Sequence, residues 1–425
     1  VHKIHGEVPR HGVDPVGAGV LNGRDLPIMK TRLHPIVFVS LFAGAIAVSG
    51  CSHWPWRHQK PADAVASAPA VPPVTMQNTS APPSSVTKTN PPIVLEDIPN
   101  LPGKGLAQHD FIFTGEFDTR KKVATISLVQ GGKVTKTYQI PTTDPATGQL
   151  SEFSDMHRLS NGDVLFAYKT GWRKVNADGN LIYDFKCPAI ATNADGKLTY
   201  AECHSAQPIG NDKVLFMLNG LPAKLCLFNL KTATIEMEHV MRTKEPVDAK
   251  SIHGQFRNVR MTKAGTYLIA HMNLGRVIEY DTNWTELWQT TNAPSVWQAV
   301  RLKNGNTLVS GNQNCFVREI SPDDRIVWQF DNNDLKGTGI RLFGVHQCER
   351  LENGNTLLCN WVSGTRGLNK TNDWPKTVQV IEVTPDKKVA WALREWKDPD
   401  LGTASEIQLL DEPGNPAEEN QELMR

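Results

Sequence analysis

Val300-Arg301-Leu302-Lys303-Asn304-Gly305-Asn306-Thr307-Leu308-Val309 is the stretch from which the fold can be read. Two short apolar runs flank Asn304-Gly305-Asn306. Asn and Gly tolerate positive φ, so this pattern marks a strand, a tight turn and a returning strand. The same pattern recurs around Leu159, Ile209, Met261 and Leu351, so that successive anchors, with Leu302, stand 50, 52, 41 and 49 residues apart. Each unit runs on into two more strand-like stretches, such as Phe316–Ile320 and Ile326–Phe330, joined by turns such as Ser321-Pro322-Asp323-Asp324. The last stretch of each unit carries a large residue: Tyr183, Met237, Trp288, Trp328 or Trp391. Such a residue fills the gap between adjacent sheets.

Four strands per repeat of about 45 residues is the period of a β-propeller. Five units are contiguous. The sixth is divided between the chain ends, with 405–410 as its first strand and 111–113, 123–128 and 134–138 as the others. The expectation is an all-β, six-bladed β-propeller of four-stranded antiparallel blades over residues 96–425, its last blade closed by both ends of the chain.

The Arg-Leu-x-Asn-Gly-Asn-Thr-Leu hairpin, with its Pro-Asp turn and aromatic fourth strand, resembles a bacterial secreted, quinoprotein-like (PQQ-like repeat) propeller family over residues 105–415. Arylsulfotransferase-like propellers are more distant relatives. The resemblance implies the fold and secretion. An arylsulfotransferase-like relative also implies an essential histidine at the funnel, here His204 or His346. A bound quinone does not follow from it.

Upstream of the repeats, Met29-Lys30-Thr31-Arg32 begins a basic segment, Ile36 to Val48 is apolar, and Val48-Ser49-Gly50-Cys51 closes it. That order describes a signal peptide over 29–50. The small residues before the cysteine resemble a lipobox, which makes Cys51 the lipidation site and residues 1–28 an upstream, non-native segment. Ser52 favours the outer membrane. Residues 51–95 are rich in Pro, Ala, Ser and Thr, too poor in apolar groups to form a core, and read as a tether. The expected location is therefore across the inner membrane, lipid-anchored, and facing the periplasm or the cell surface.

The body carries six cysteines. Cys348 with Cys359 and Cys187 with Cys203 are candidate disulfides, against the alternative of buried free thiols. With 45 basic and 44 acidic residues and no basic block, nucleic acid is excluded as an expected partner.

In a propeller the first strand of every blade lines the axis. The residue five before each anchor then falls at one mouth of the channel: Ser154, His204, Phe256, Trp297 and His346. Neighbouring positions add His157, His253, Arg257, Gln298 and Gln347, and the ends of second strands add Asn219, His271, Asn360 and Trp361. The candidate ligand-binding set is His204, His253, Arg257, His271, Trp297, Gln298, His346, Asn360 and Trp361. His204, His253 and His346 are candidate ligands for a divalent metal cofactor, because imidazoles converging from separate blades suit a transition ion. One of them could instead act as a general base, Arg257 could clamp an anion, and the set could be purely structural. His157 lies two residues before its anchor and belongs to another register. Neither HExxH, a CxxC pair, a nucleotide-binding glycine loop nor a nucleophile elbow is present. Three functions remain open: binding a small molecule or envelope protein, periplasmic catalysis (an arylsulfotransferase-like transferase, lactonase or lyase), and a scaffold for outer-membrane protein assembly.

Overall fold

The computed structural model describes residues 95–411, except positions 96, 116, 193, 246–247 and 363–370. The expected signal peptide, the expected lipidation site Cys51 and positions 52–94 of the expected tether lie outside the described residues. Within them, six four-stranded antiparallel sheets form the blades of a β-propeller. In chain order these are blade one (155–186), blade two (202–240), blade three (259–290), blade four (296–331), blade five (345–393) and a composite blade six. In blade six Glu406–Leu409 pairs with Phe111–Thr114, which continues into Val123–Gln130 and Lys133–Pro141. A small hairpin, Ala189–Thr192 with Leu198–Tyr200, stands between blades one and two.

The hairpin turns are tighter than simple alternation implies. Gly305 and Gly354 take φ of 86° and 87°, a region costly for any residue with a Cβ. In blade five, Leu351 N–H donates to Asn355 C=O, and Arg350 faces Thr356. The pairing is thus offset by one residue from Leu351 facing Thr356. A one-residue offset moves side chains to the opposite face of a sheet. Cys348 accordingly faces Leu358 and packs between blades four and five, while Cys359 packs on the other side of the sheet with Trp391 and Leu393. The expected Cys348–Cys359 disulfide is corrected on this ground. The Cys187–Cys203 pairing is corrected too. Both thiols are free in one core cluster, with Cys187 Sγ directed to Lys169 C=O and Cys203 Sγ to Ser205 C=O. Burial pushes the thiols of Cys187, Cys203, Cys226, Cys348 and Cys359 up, which keeps them protonated and unreactive.

The large fourth-strand residues act as expected, filling the space between blades. Trp288, Trp328 and Trp391 donate their indole N–H to Pro322, Pro385 and Gly105 C=O respectively, each in the neighbouring blade or the segment that covers it. Arg301 and Arg350 of the recurring Arg-Leu pair lie over the Trp288 and Trp328 rings at 4.8 and 5.0 Å. The same guanidinium groups pair with Glu279 and Glu319 of the preceding blade, at 2.5 and 3.0 Å. At the junction of blades five and six, His109 takes the arginine's place, 3.1 Å from Glu382 and edge-on to Trp391. The repeat is therefore a sequence record of a repeated interface between blades.

Removing residues 404–425 deletes the closing strand and leaves the inner edge of Phe111–Thr114 bare. Circular dichroism and size exclusion should show loss of the cooperative thermal transition and self-association. A truncated chain that melts like the parent would contradict closure by this strand. Thiol titration in denaturant without reductant should find all six body cysteines reactive; four or fewer would restore a disulfide.

Candidate functional site

The channel mouth is shaped by a defect repeated in three first strands. The ladders shift between Cys203 and Ala206, between Val296 and Ala299, and between Val345 and Cys348. Two residues then oppose one, which is a β-bulge, and bulges re-aim side chains beside functional sites. The first residues of these bulges are His204, Trp297 and His346, all at the anchor-minus-five position. This is why the structure gathers them at one end of the channel.

Glu202 lies two residues before His204 on the same strand. Its Oε2 is 2.9 Å from His204 Nε2 and 2.7 Å from His253 Nδ1. Its other oxygen faces Lys169 Nζ at 3.8 Å, and Lys169 also binds Glu152 at 2.9 Å. His204 Nδ1 reaches Ser154 Oγ of blade one at 3.0 Å. His204 and His253 meet edge to face at 5.1 Å. Beside them runs a column of stacked rings: Arg257 over Trp297 at 4.6 Å, Trp297 on His346 at 3.5 Å, and His346 on Trp361 at 4.6 Å.

Electrostatics follow from burial. Burial pushes the Glu202 carboxyl up, but hydrogen bonds from His204 and His253 outweigh it and hold the group well below the usual carboxylate range. His204 is lowered to about 3, by burial first and then by the Arg257 charge. His346 is lowered for the same two reasons, with His204 adding to them. Both imidazoles are neutral at pH 7. The mouth thus combines an ionised carboxylate, neutral imidazoles and two fixed cations, Lys169 and Arg257. Of these groups His253 is the most open, its side chain 49% exposed, while His204 is almost fully covered.

Deeper in the channel, Asp155 accepts both Arg260 nitrogens at 2.8 and 2.9 Å, and Ser205 Oγ and Ala206 N–H besides. His157 Nε2 is 3.1 Å from the same carboxylate. His157 therefore belongs to this second cluster, as its register implied. Burial alone would raise Asp155, but Arg260 and then His157 hold it far below its ordinary value. Removing one partner of so buried a pair costs about 3–5 kcal/mol.

Four sequence candidates are engaged by the protein itself. Asn360 accepts from Phe343 N–H and donates to Arg341 and Val378 C=O, which ties a loop to its blade. Asn219 likewise donates to Phe256 C=O. Gln298 accepts from Cys348 N–H of the next blade. His271 packs edge-on to Phe256 at 4.7 Å and reaches Tyr280 Oη at 3.4 Å, within the core between second and third blades. Trp297 and Trp361 stack on His346 within the protein. Of the three proposed metal ligands, His204 and His253 meet at Glu202, whereas His346 sits in the ring column. Glu202, Glu152 and Lys169 were not singled out from the sequence. An acidic residue two before a mouth histidine on one strand was the available signal for Glu202. Lys169 comes from a loop with φ of 68°, which sequence periodicity does not reveal.

No family model matches the chain, and no curated protein matches it. Among solved structures it is similar to a protein of unknown function from Bacteroides caccae, at 22% identity and a TM-score of 0.56, covering 70% of this chain and 97% of that one. A streptogramin B lyase is similar at 13% identity and a TM-score of 0.43, covering 72% and 89% of the two chains. The first likeness shows the propeller fold alone.

The buried histidines predict acid sensitivity. His271 is lowered to about 3 by burial and by the charges of Arg276 and Arg242. Below about pH 6.5 the unfolded chain takes up its proton while the folded chain does not. Stability is thus lost as pH falls from about 6.5 toward 3, by up to about 1.4 kcal/mol per pH unit for each such group. Denaturant unfolding at pH 7, 6, 5 and 4 should show this decline, and His271→Gln should flatten it. Equal slopes in the two proteins would contradict the burial of a neutral imidazole.

Proposed function

We propose that this propeller is an envelope lipoprotein that binds a small polar molecule at its channel mouth, over Glu202. The observation that carries the reading is the convergence of Glu202, His204, His253 and Lys169, from the first strand of blade two, the segment before blade three and a loop of blade one, beneath a half-exposed imidazole. A buried carboxylate with several polar partners, next to a histidine of strongly shifted pKa, is a frequent mark of a functional site. The lipobox-like Val48-Ser49-Gly50-Cys51 and the Pro-rich stretch after it support secretion, acylation of Cys51 and tethering to the outer membrane. The quinoprotein-like hairpins agree with a secreted propeller.

A second reading, a periplasmic hydrolase or transferase, is favoured by the unbroken line Ser154 Oγ, His204, Glu202. It has the order of nucleophile, base and orienting carboxylate. Two facts weigh against it. Ser154 is 2% exposed, and an imidazole lowered to about 3 is a weak base at pH 7.

A thermal-shift screen with small carboxylates, lactones, sugars, 4-nitrophenyl sulfate and 4-nitrophenyl phosphate tests the binding reading. At least one compound should raise the melting temperature of the parent, by about 2.7 kcal/mol of stabilisation at a hundred times its Kd. The shift should vanish in His253→Ala. A shift that survives His253→Ala, or none with any compound, would count against the site. Turnover abolished by Ser154→Ala and His204→Ala, with folding intact, would favour the enzyme instead.

A further inference from the structure

We infer that Glu202, His204 and His253 form a binding site for one divalent first-row transition metal ion, of the kind that keeps an open coordination position toward solvent. The three ligand atoms, His204 Nε2, His253 Nδ1 and a Glu202 carboxylate oxygen, all lie within 4.8 Å of one another. Both nitrogens are already within 2.9 Å of the same carboxylate oxygen. Metal–nitrogen and metal–oxygen bonds of about 2.0–2.2 Å in a tetrahedron place ligands about 3.4 Å apart. Opening the 2.7 and 2.9 Å contacts between the carboxylate and the two rings by about 0.5–0.7 Å admits the ion.

The donor set carries the choice of metal class. Two imidazoles and one carboxylate suit zinc, cobalt or iron(II), whereas magnesium and calcium prefer oxygen ligands. Three protein ligands leave a fourth position, the pattern of zinc sites that take water or substrate. His253 is half exposed, so that position has access to solvent. His204 and Glu202 are covered and held in place.

The surroundings are those of a metal ligand shell. A metal-bound histidine donates its other ring N–H to a fixed acceptor, which sets the tautomer. His204 Nδ1 has Ser154 Oγ at 3.0 Å for this purpose, and the Ser154 hydroxyl has Glu152 C=O at 3.4 Å to receive its own proton. Ion entry therefore needs no net proton loss from His204. Its single ring proton moves from Nε2 to Nδ1, the Nε2 lone pair turns to the metal, and the Ser154 hydroxyl swings from the ring to Glu152. Both imidazoles meet Oε2 of Glu202, while its second oxygen faces Lys169 Nζ at 3.8 Å, so Oε2 is the coordinating atom. The carboxylates Glu152 and Glu202 balance the cations Lys169 and Arg257, so the mouth is close to neutral before the ion enters. With the ion bound and Arg257 nearby, the mouth becomes positive and favours an anionic oxygen ligand at the open position.

Calorimetric titration of the whole untagged chain, stripped with chelator, with zinc(II) tests this, and the visible absorption of a cobalt(II) complex gives a second readout. The expected result is one tight site per chain and a tetrahedral cobalt spectrum. His253→Gln changes a half-exposed side chain and leaves the fold intact; it should weaken zinc at least 100-fold and abolish the spectrum, as should Glu202→Gln. Ser154→Ala should weaken zinc about tenfold, the effect of losing an orienting partner. His239→Gln, on the outer strand of blade two, should leave zinc affinity unchanged. Equal affinity in parent and His253→Gln, or no tight site in the parent, would overturn the inference. No organic ligand enters the titration, so its failure leaves the small-molecule reading standing, and a screen without hits leaves the metal site standing.

Discussion

The fold depends on how the innermost strands satisfy their inward edges. In each blade the first strand pairs with the second, and its other edge faces the channel with backbone N–H and C=O groups that need partners. Side chains of neighbouring blades supply them. Gln207, Gln298, Gln347 and Gln408 accept from Met261, Cys348, Ile407 and Arg158 N–H, each in the next blade around the ring. Gln347 and Gln408 also donate to the Ile407 and Arg158 carbonyls. Asp155 takes this role between blades one and two through Ala206 N–H, and Asn258 N–H donates to Trp297 C=O between blades three and four. All six junctions are thereby crossed close to the axis. The closing strand, Glu406–Leu409, is bonded to both neighbours as well as to its own blade.

That constraint also builds the mouth. Once the first strands are tied to one another, a bulge in any of them has a fixed direction, and three bulges aim His204, Trp297 and His346 at one place. Ser310 shows the link between the two levels: it accepts from Gln298 N–H within one bulge and donates to His346 C=O in the next blade. Rigid backbone placement lets buried imidazoles remain neutral beside Arg257 and an ionised Glu202. In water the same groups would titrate near their ordinary values and would not hold one geometry.

Much of the fold was legible because the interface between blades repeats in sequence. Arg-Leu pairs, Asn-Gly turns and fourth-strand tryptophans each mark one part of it, and the split sixth blade followed from counting. The disulfide error arose at one turn. Gly354 occupies a bulge position that shifts the ladder by one residue, and a single residue decides which face Cys359 takes. The site was legible in position but not in role. His204, His253, Arg257, Trp297, His346 and Trp361 do gather at the mouth. Gln298 instead lines the channel with His157 and Arg260, and its amide and that of Asn360 are engaged by backbone, a use that no spacing in one sequence reveals. Glu202 was missed because its importance comes from His253, which reaches it from 51 positions away.

Glu202 is thus the point where architecture becomes chemistry, a covered carboxylate holding two imidazoles and a lysine at the end of a channel. Anomalous X-ray diffraction at the zinc edge, from crystals grown with zinc(II), tests this most directly. The account predicts one strong peak bounded by Glu202, His204 and His253, with His204 Nδ1 still on Ser154. A well-ordered mouth with no peak there, or with zinc held by other residues, would contradict it.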